Sequence, residues 1–335
     1  MHLARFPRLH FAHLPTPLEF MPRLTEALDG PRLWVKRDDC TGLGFGGNKT
    51  RKLEFLMAAA REEGADTVVT PGAVQSNHCR QTAAAAAKLG MKAILVFERR
   101  LANPDEAYRT SGNVLLDKIF GATIEEVDAG TDMNAAIAET GERVQSEGAK
   151  AYLIPGGGSS PIGALGYVNC AMELVNQANT MNLKIDHIIH ATGSAGTQAG
   201  LVTGLKAIHA DIPVLGVGVA AREDAQKARV FSLAEKTADL IGAPGVVGSD
   251  DIVVDDNYIG EAYGVPTEGM TEAVTMAARL EGLLFDPVYS GKALAGMIDL
   301  IRQGRFSKDQ NLVFLHTGGA PGLFGYQSTF DRSNL

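Results

Sequence analysis

Residues 67–97 read TVVTPGAVQSNHCRQTAAAAAKLGMKAILVF. Thr67–Thr70 predicts a strand, Pro71–Asn77 a loop, His78–Leu89 a helix and Lys92–Phe97 a second strand. Neither strand alternates apolar with polar residues, which marks strands buried on both faces. A helix of this length between them predicts a parallel pair joined by a crossover. The pattern repeats outward. Helices are predicted at Tyr108–Phe120, Met133–Glu147, Ile162–Gln177, Thr197–Ile208, Thr267–Glu281 and Ala293–Ile301. Strands are predicted at Thr123–Val127, Ala151–Ile154, His187–Ala191, Val214–Val219 and Leu312–His316. No period of 20–50 residues marks a solenoid. The expected class is α/β, with two mostly parallel sheets flanked by helices. A barrel of eight βα units is the alternative, and Pro155–Pro161 (PGGGSSP) is a plausible boundary.

The 335 residues exceed an ordinary domain of about 100–200. Apolar residues make up 45% and charged residues 21%, a composition that excludes wholesale disorder. Lys plus Arg number 31 against 39 Asp plus Glu, a net charge of −8. Such a chain has no global attraction to nucleic acid or an anionic membrane, although a local basic pocket can hold a small anion. No run approaches the roughly 18–20 apolar residues of a membrane span, and Met1–Phe11 predicts no secretory signal. Cys40, Cys79 and Cys170 are too few and scattered for a disulfide framework. The expected location is the cytoplasm. The eight histidines form no metal-ligand motif, so no metal is expected.

Gly46-Gly47-Asn48-Lys49 opens a helix. Glycines there allow close approach of backbone to ligand, and Lys49 can bind phosphate or act as a Schiff-base amine if its charge is disfavoured. Asn48 stands where a P-loop needs glycine, and a basic first turn on a solvated helix is the plainer alternative. Gln75-Ser76-Asn77-His78 lies between strand and helix, a seat for carboxylate or phosphate, although Ser76 or Asn77 can be a simple N-cap. Gly193-Ser194-Ala195-Gly196-Thr197 follows the strand His187–Ala191 and suits a phosphate. Tyr263 and Tyr289 can move a proton if their surroundings lower the phenol pKa, and His316-Thr317-Gly318-Gly319 ends the last strand where a ligand can sit.

Together these segments resemble the pyridoxal-phosphate enzymes of the tryptophan-synthase-β type. The likeness is strongest to the branch holding 1-aminocyclopropane-1-carboxylate deaminases and D-cysteine desulfhydrases. It also runs through Arg5–Leu9, Leu14–Leu18 and Lys36-Arg37-Asp38-Asp39. The resemblance implies two open twisted sheets with the cofactor in the cleft between domains, a large domain of residues 1–49 and 166–335 and a small one of 50–165. It implies Lys49 as the amine joined to pyridoxal 5′-phosphate, Asn77 beside the cofactor's 3′ oxygen, phosphate in Gly193, Ser194, Ala195, Gly196 and Thr197, and Ser290 and Thr317 as further cofactor contacts. Ser76, Asn77, His78, Tyr263 and Tyr289 would meet the substrate, with Lys49, Ser76, Tyr263 and Tyr289 as catalytic residues. Ser290 stands where the deaminases carry a glutamate, and His78 where they carry a glutamine. Both departures favour direct β-elimination over ring opening, and the resemblance implies a homodimer acting on a small sulfur-containing amino acid. L-Cysteate giving pyruvate, ammonia and sulfite is the expected reaction. Sulfide release from D-cysteine is the alternative, and cyclopropane ring opening the weaker third.

Overall fold

The computed structural model describes residues 1–102 and 104–331. Ten strands form two sheets: β1 (Leu18–Phe20), β2 (Arg32–Lys36), β3 (Thr67–Ala73), β4 (Lys92–Arg99), β5 (Thr123–Asp128), β6 (Ala151–Leu153), β7 (His187–Thr192), β8 (Val214–Gly218), β9 (Val253–Asp255) and β10 (Asn311–Leu315). Between them run α1 (Pro22–Leu28), α2 (Lys49–Glu62), α3 (Asn77–Leu89), α4 (Glu106–Thr110), α5 (Gly112–Ile119), α6 (Met133–Ser146), α7 (Pro161–Thr180), α8 (Gly196–Ala207), α9 (Glu223–Ile241), α10 (Glu268–Glu281) and α11 (Ser290–Arg302). Among the described residues no helix is long and apolar enough to cross a membrane.

The larger sheet has the order β1-β2-β10-β7-β8-β9, and the smaller β5-β4-β3-β6. Every pairing is parallel except β1 with β2. Two open sheets exclude the barrel. Alternation along β10 shows why its run is uniformly apolar: Leu312 and Phe314 pack toward α10 and α11, while Val313 and Leu315 pack toward α7 and α8. In the smaller sheet Val68 and Leu95 face α2 and α3, and Val69 and Val96 face α6.

Two expectations differ from the structure. β3 runs three residues beyond Thr70, through Pro71. Val69 turns its carbonyl toward the β6 side, accepting from the Ile154 N–H, so the ring nitrogen of Pro71, two residues on, faces the same side. There β6 has already ended, and no ladder bond is lost. The single helix expected at Tyr108–Phe120 is broken at Ser111 into α4 and α5. Gln75 bridges the break: its Nε2 donates to Tyr108 O and Ser111 O, and its Oε1 accepts from Asn113 N–H. Gly112 (φ +58°) makes the turn, and a Cβ there would stand 2.6 Å from Pro321 O.

Strand order also fixes where a ligand can enter. From β3 the chain proceeds outward to β4 and β5, and β6 returns on the other flank. From β7 it proceeds to β8 and β9, and β10 returns on the other flank. At such reversals the loops leaving the strand C-termini diverge and open a crevice. This chain has two, and they face one cleft.

Candidate active site

The cleft, of about 680 Å³, is lined by Pro71–Ala73 from β3, Pro155–Gly157 after β6, Ala191–Ala195 from β7 onward and Thr317 after β10. Lys49, Ser76, Asn77, His78, Gly193, Ser194, Ala195, Thr197, Tyr263, Tyr289 and Thr317 all line it. Gly196 and Ser290 lie behind this lining.

Lys49 is the first residue of α2. Gly47 before it has φ +125°, and a Cβ there would meet Gln81 Nε2 at 2.5 Å, so only glycine fits. Asn48 ties the turn to both neighbouring loops, its N–H donating to Thr317 O and its Nδ2 to Thr197 Oγ1 at 3.0 Å. The solvated-helix reading of α2 fails, because Thr50 through Ala58 are all buried. Burial pushes the Lys49 amine down to about 8. Lys52, one turn on, is in hydrogen-bonding contact with it. Lys52 is held well below the usual lysine range, first by burial and then by the charge of Lys49.

Lys52 Nζ donates to Gly157 O at 3.1 Å and lies under the start of α8, where a Cβ on Gly196 would approach it to 2.9 Å. The loop above is strained: Ala195 has φ +74° and ψ −39°, which an L-residue rarely adopts. Beyond the kink Thr197 and Gln198, in the first turn of α8, line the cleft, while Gly196 N–H is held by Ser159 Oγ at 3.1 Å. A helix N-terminus over a buried amine is an anion seat.

Ser76 is the N-cap of α3, accepting from Cys79 N–H at 3.2 Å. Asn77 Oδ1 accepts from Asn113 Nδ2 at 3.0 Å. The His78 tautomer follows from its partner. Thr70 Oγ1 donates to Ile154 O, so at 2.8 Å from His78 Nε2 it must accept, and Nε2 carries the proton. Burial keeps the imidazole neutral, well below its usual pKa, and the charges of Lys49 and Lys52 act in the same direction. Nδ1, buried and without a protein partner, is then an acceptor. The ring therefore cannot donate to a carboxylate, and His78 can serve such a group only through its backbone N–H.

Tyr263 and Tyr289 touch through their hydroxyls at 2.6 Å, with rings edge to face and the Arg100 guanidinium 4.8 Å from the Tyr263 ring centre. The condition set for them in the sequence is reversed. Burial, and for Tyr263 also the neighbouring Tyr289, raises both phenols above their usual value. Each holds its proton at neutral pH, and one donates to the other, which leaves one O–H of the pair free as a donor. Ser290 departs from its expected place as well: its Oγ donates to Asp286 Oδ1 at 2.6 Å and accepts from Asp286 N–H at 2.9 Å. His316 is a core residue, stacked on Phe285 with ring centres 4.0 Å apart.

Four contributors were not singled out in the sequence: Lys52, Arg100, Asn113 and Ser159. Only Lys52 carried a local signal, since i and i+3 share a helix face. The charge of the cleft is its sharpest feature. Among its described lining residues there is no Asp or Glu, whereas Lys49, Arg100, Arg229 and Lys236 are present, in a chain of net charge −8. Positive potential is thus focused where the overall charge is negative.

Comparison with known proteins agrees with this geometry. A family model described as pyridoxal-phosphate dependent enzyme matches residues 9–318. D-cysteine desulfhydrases of Salmonella typhimurium and Salmonella typhi are 47% identical over 325 residues, covering 97% of this chain and 98% of each relative. A crystal structure described as an ACC deaminase homologue superposes with a TM-score of 0.90 at 38% identity, with full coverage of both chains. O-ureido-L-serine synthase, at 17% identity, shares the fold with a TM-score of 0.66 over 96% of this chain and 95% of its own.

Proposed function

The chain belongs to the pyridoxal-phosphate dependent enzymes and is a carbon–sulfur lyase of that family, and from this premise we propose that it releases sulfide from D-cysteine, leaving pyruvate and ammonia. The observation that carries the proposal is a cationic cleft, free of carboxylates among its described lining residues, in which the low-pKa amine of Lys49 shares the lining with the Tyr263–Tyr289 pair. Desulfhydrase relatives at 47% identity over nearly the whole chain support the choice of substrate.

The residues fit the cofactor. The N–H groups opening α8, with Lys52 beneath them, would hold its phosphate; Lys49 would be the amine for its aldehyde; and the Asn77 amide would serve its 3′ oxygen. Thr317 closes the pocket on the β10 side. When bound, pyridoxal phosphate delocalises the negative charge left as the Cα proton departs, which lets the β-substituent leave. Ser76 and the first-turn N–H groups of α3 receive the substrate carboxylate. Lys49 is the base for Cα. Both phenols are protonated and one donates to the other, which leaves a single O–H of the pair to donate to the departing sulfur, and no Asp or Glu is among the described residues lining the cleft.

One observation favours a second reading, elimination of sulfite from L-cysteate. Arg100, Arg229 and Lys236 exceed what one phosphate and one carboxylate require, and a sulfonate would use the surplus. D-Cysteine, L-cysteine, L-cysteate and the cyclopropane amino acid are offered separately, with pyruvate, sulfide and sulfite followed. Sulfide and pyruvate are expected from D-cysteine. Sulfite from L-cysteate with no turnover of D-cysteine would replace the first reading with the second.

A homodimer is the accompanying proposal. Phe45 and Ile119 are 71% and 68% exposed, and Leu115 and Phe324 are exposed too. Leu115 and Ile119 share a face of α5, which packs on residues 320–325, and Phe120 abuts the backbone of Gly44 beside Phe45. An apolar face of this kind suits a second copy of the chain. Ile119→Asp is expected to halve the mass in solution by light scattering, and an unchanged mass would place the contact elsewhere.

A further inference from the structure

We infer that Asn113 is a positioning residue for the cofactor's 3′ oxygen, acting through Asn77; the inference rests on the reading of Asn77 given above. Asn113 is fully buried, and each end of its side-chain amide has a partner of fixed character, Arg80 Nε at one and Gln75 O at the other. Arg80 Nε can only donate, so the Asn113 atom 2.7 Å from it is Oδ1. Nδ2 of Asn113 then faces Gln75 O at 3.2 Å, which can only accept, and Asn77 Oδ1 at 3.0 Å. The Asn113 backbone N–H is held by Gln75 Oε1 at 2.9 Å, so the residue cannot turn. With Asn77 Oδ1 engaged on that side, the NH₂ group of Asn77 is the end left for the cleft.

Orientation thus passes from a guanidinium that never reverses its polarity, through Asn113, to an amide that meets the ligand. The same guanidinium donates to Gly44 O and Gly46 O, so it also holds the glycine turn before Lys49. An amide N–H facing a ring oxygen stabilises negative charge there and lowers the proton affinity of the nitrogen contributed by Lys49.

The test uses the cofactor-loaded protein without substrate and reads the position and pH midpoint of its visible absorption band. Asn113→Asp keeps an acceptor for Arg80 but sets an oxygen against Asn77 Oδ1, so Asn77 must turn its carbonyl toward the cleft. The expected result is a band altered in the same direction as in Asn77→Ala, with proton affinity raised roughly tenfold and no further change in the double variant. A band like that of the parent in Asn113→Asp, with a shift in Asn77→Ala, overturns the inference. No shift in Asn77→Ala sinks the placement of Asn77 instead. Neutron diffraction of the unsubstituted protein decides independently of folding: deuterium on the Asn77 atom facing the cleft is expected, and an oxygen there overturns the inference.

Discussion

Replacing Lys49 with Ala abolishes the visible absorption of the lysine-bound cofactor and lowers turnover by about 10³-fold or more, the range for losing a base that is also the covalent attachment point. The size of the effect follows from the amine's surroundings. With its pKa near 8, about a quarter of the amine is neutral at pH 7.5, against about one in a thousand for an unperturbed lysine. Condensation with the cofactor's aldehyde should therefore accelerate as pH rises toward 8 and then level off. Lys49→Arg separates nucleophile from charge: it keeps the cation but stays protonated, so the band should be lost there too. A visible band with normal turnover in either variant would exclude Lys49 as the attachment point.

Arg51→Met should cost about 3–5 kcal/mol of stability, the effect of removing the cation that a buried carboxylate depends on, here Asp38. Arg51 donates to both oxygens of Asp38, at 2.8 Å each, and to both oxygens of Glu173, at 2.9 Å each. Burial alone would raise the two carboxyls, but Arg51 prevails and holds both below their usual values. Their contribution to stability is present above the unfolded carboxylate range and is lost as pH falls through the lower folded values. In Arg51→Met the sign reverses for Asp38, which burial then raises so that it takes up a proton in the folded state, while Glu173 keeps its pairing with Lys36. Urea unfolding of the variant should therefore show a smaller deficit at pH 5 than at pH 7.5. A deficit independent of pH would mean that lost packing accounts for the effect.

The parallel sheets were legible because burial on both faces leaves uniformly apolar runs such as those of β3, β4 and β10, which no local choice contradicts. The glycine turns at Gly46–Gly47 and Gly193–Gly196 were legible for a similar reason, since tight backbone approach restricts residue type. What escaped notice was set by distant partners. Ser111-Gly112 is a local turn signal within Tyr108–Phe120, but the side chain that bridges the break, Gln75, comes from another element. The burial of Arg51 and Glu54 in α2 depends on Asp38, Glu173 and the N–H groups of Phe11 and Ala12. The His78 tautomer depends on a Thr70 hydroxyl already committed to Ile154, and the hydroxyl of Ser290 is taken by Asp286. Residue type announced a ligand at each place, but the polarity presented to it was decided by neighbours far away in the chain.

The insertion of β10 between β2 and β7 bears on how the molecule is made. Of the ten strands it is the last to leave the ribosome, yet it divides two that emerge earlier, and Thr317 follows directly behind it. The smaller sheet can assemble while synthesis continues, but the larger one must wait with a gap at its centre. A pocket closed by this strand would take up its vitamin-derived group only after translation of the strand is done, and nascent chains stalled short of it would expose Lys49 with no closed pocket around it.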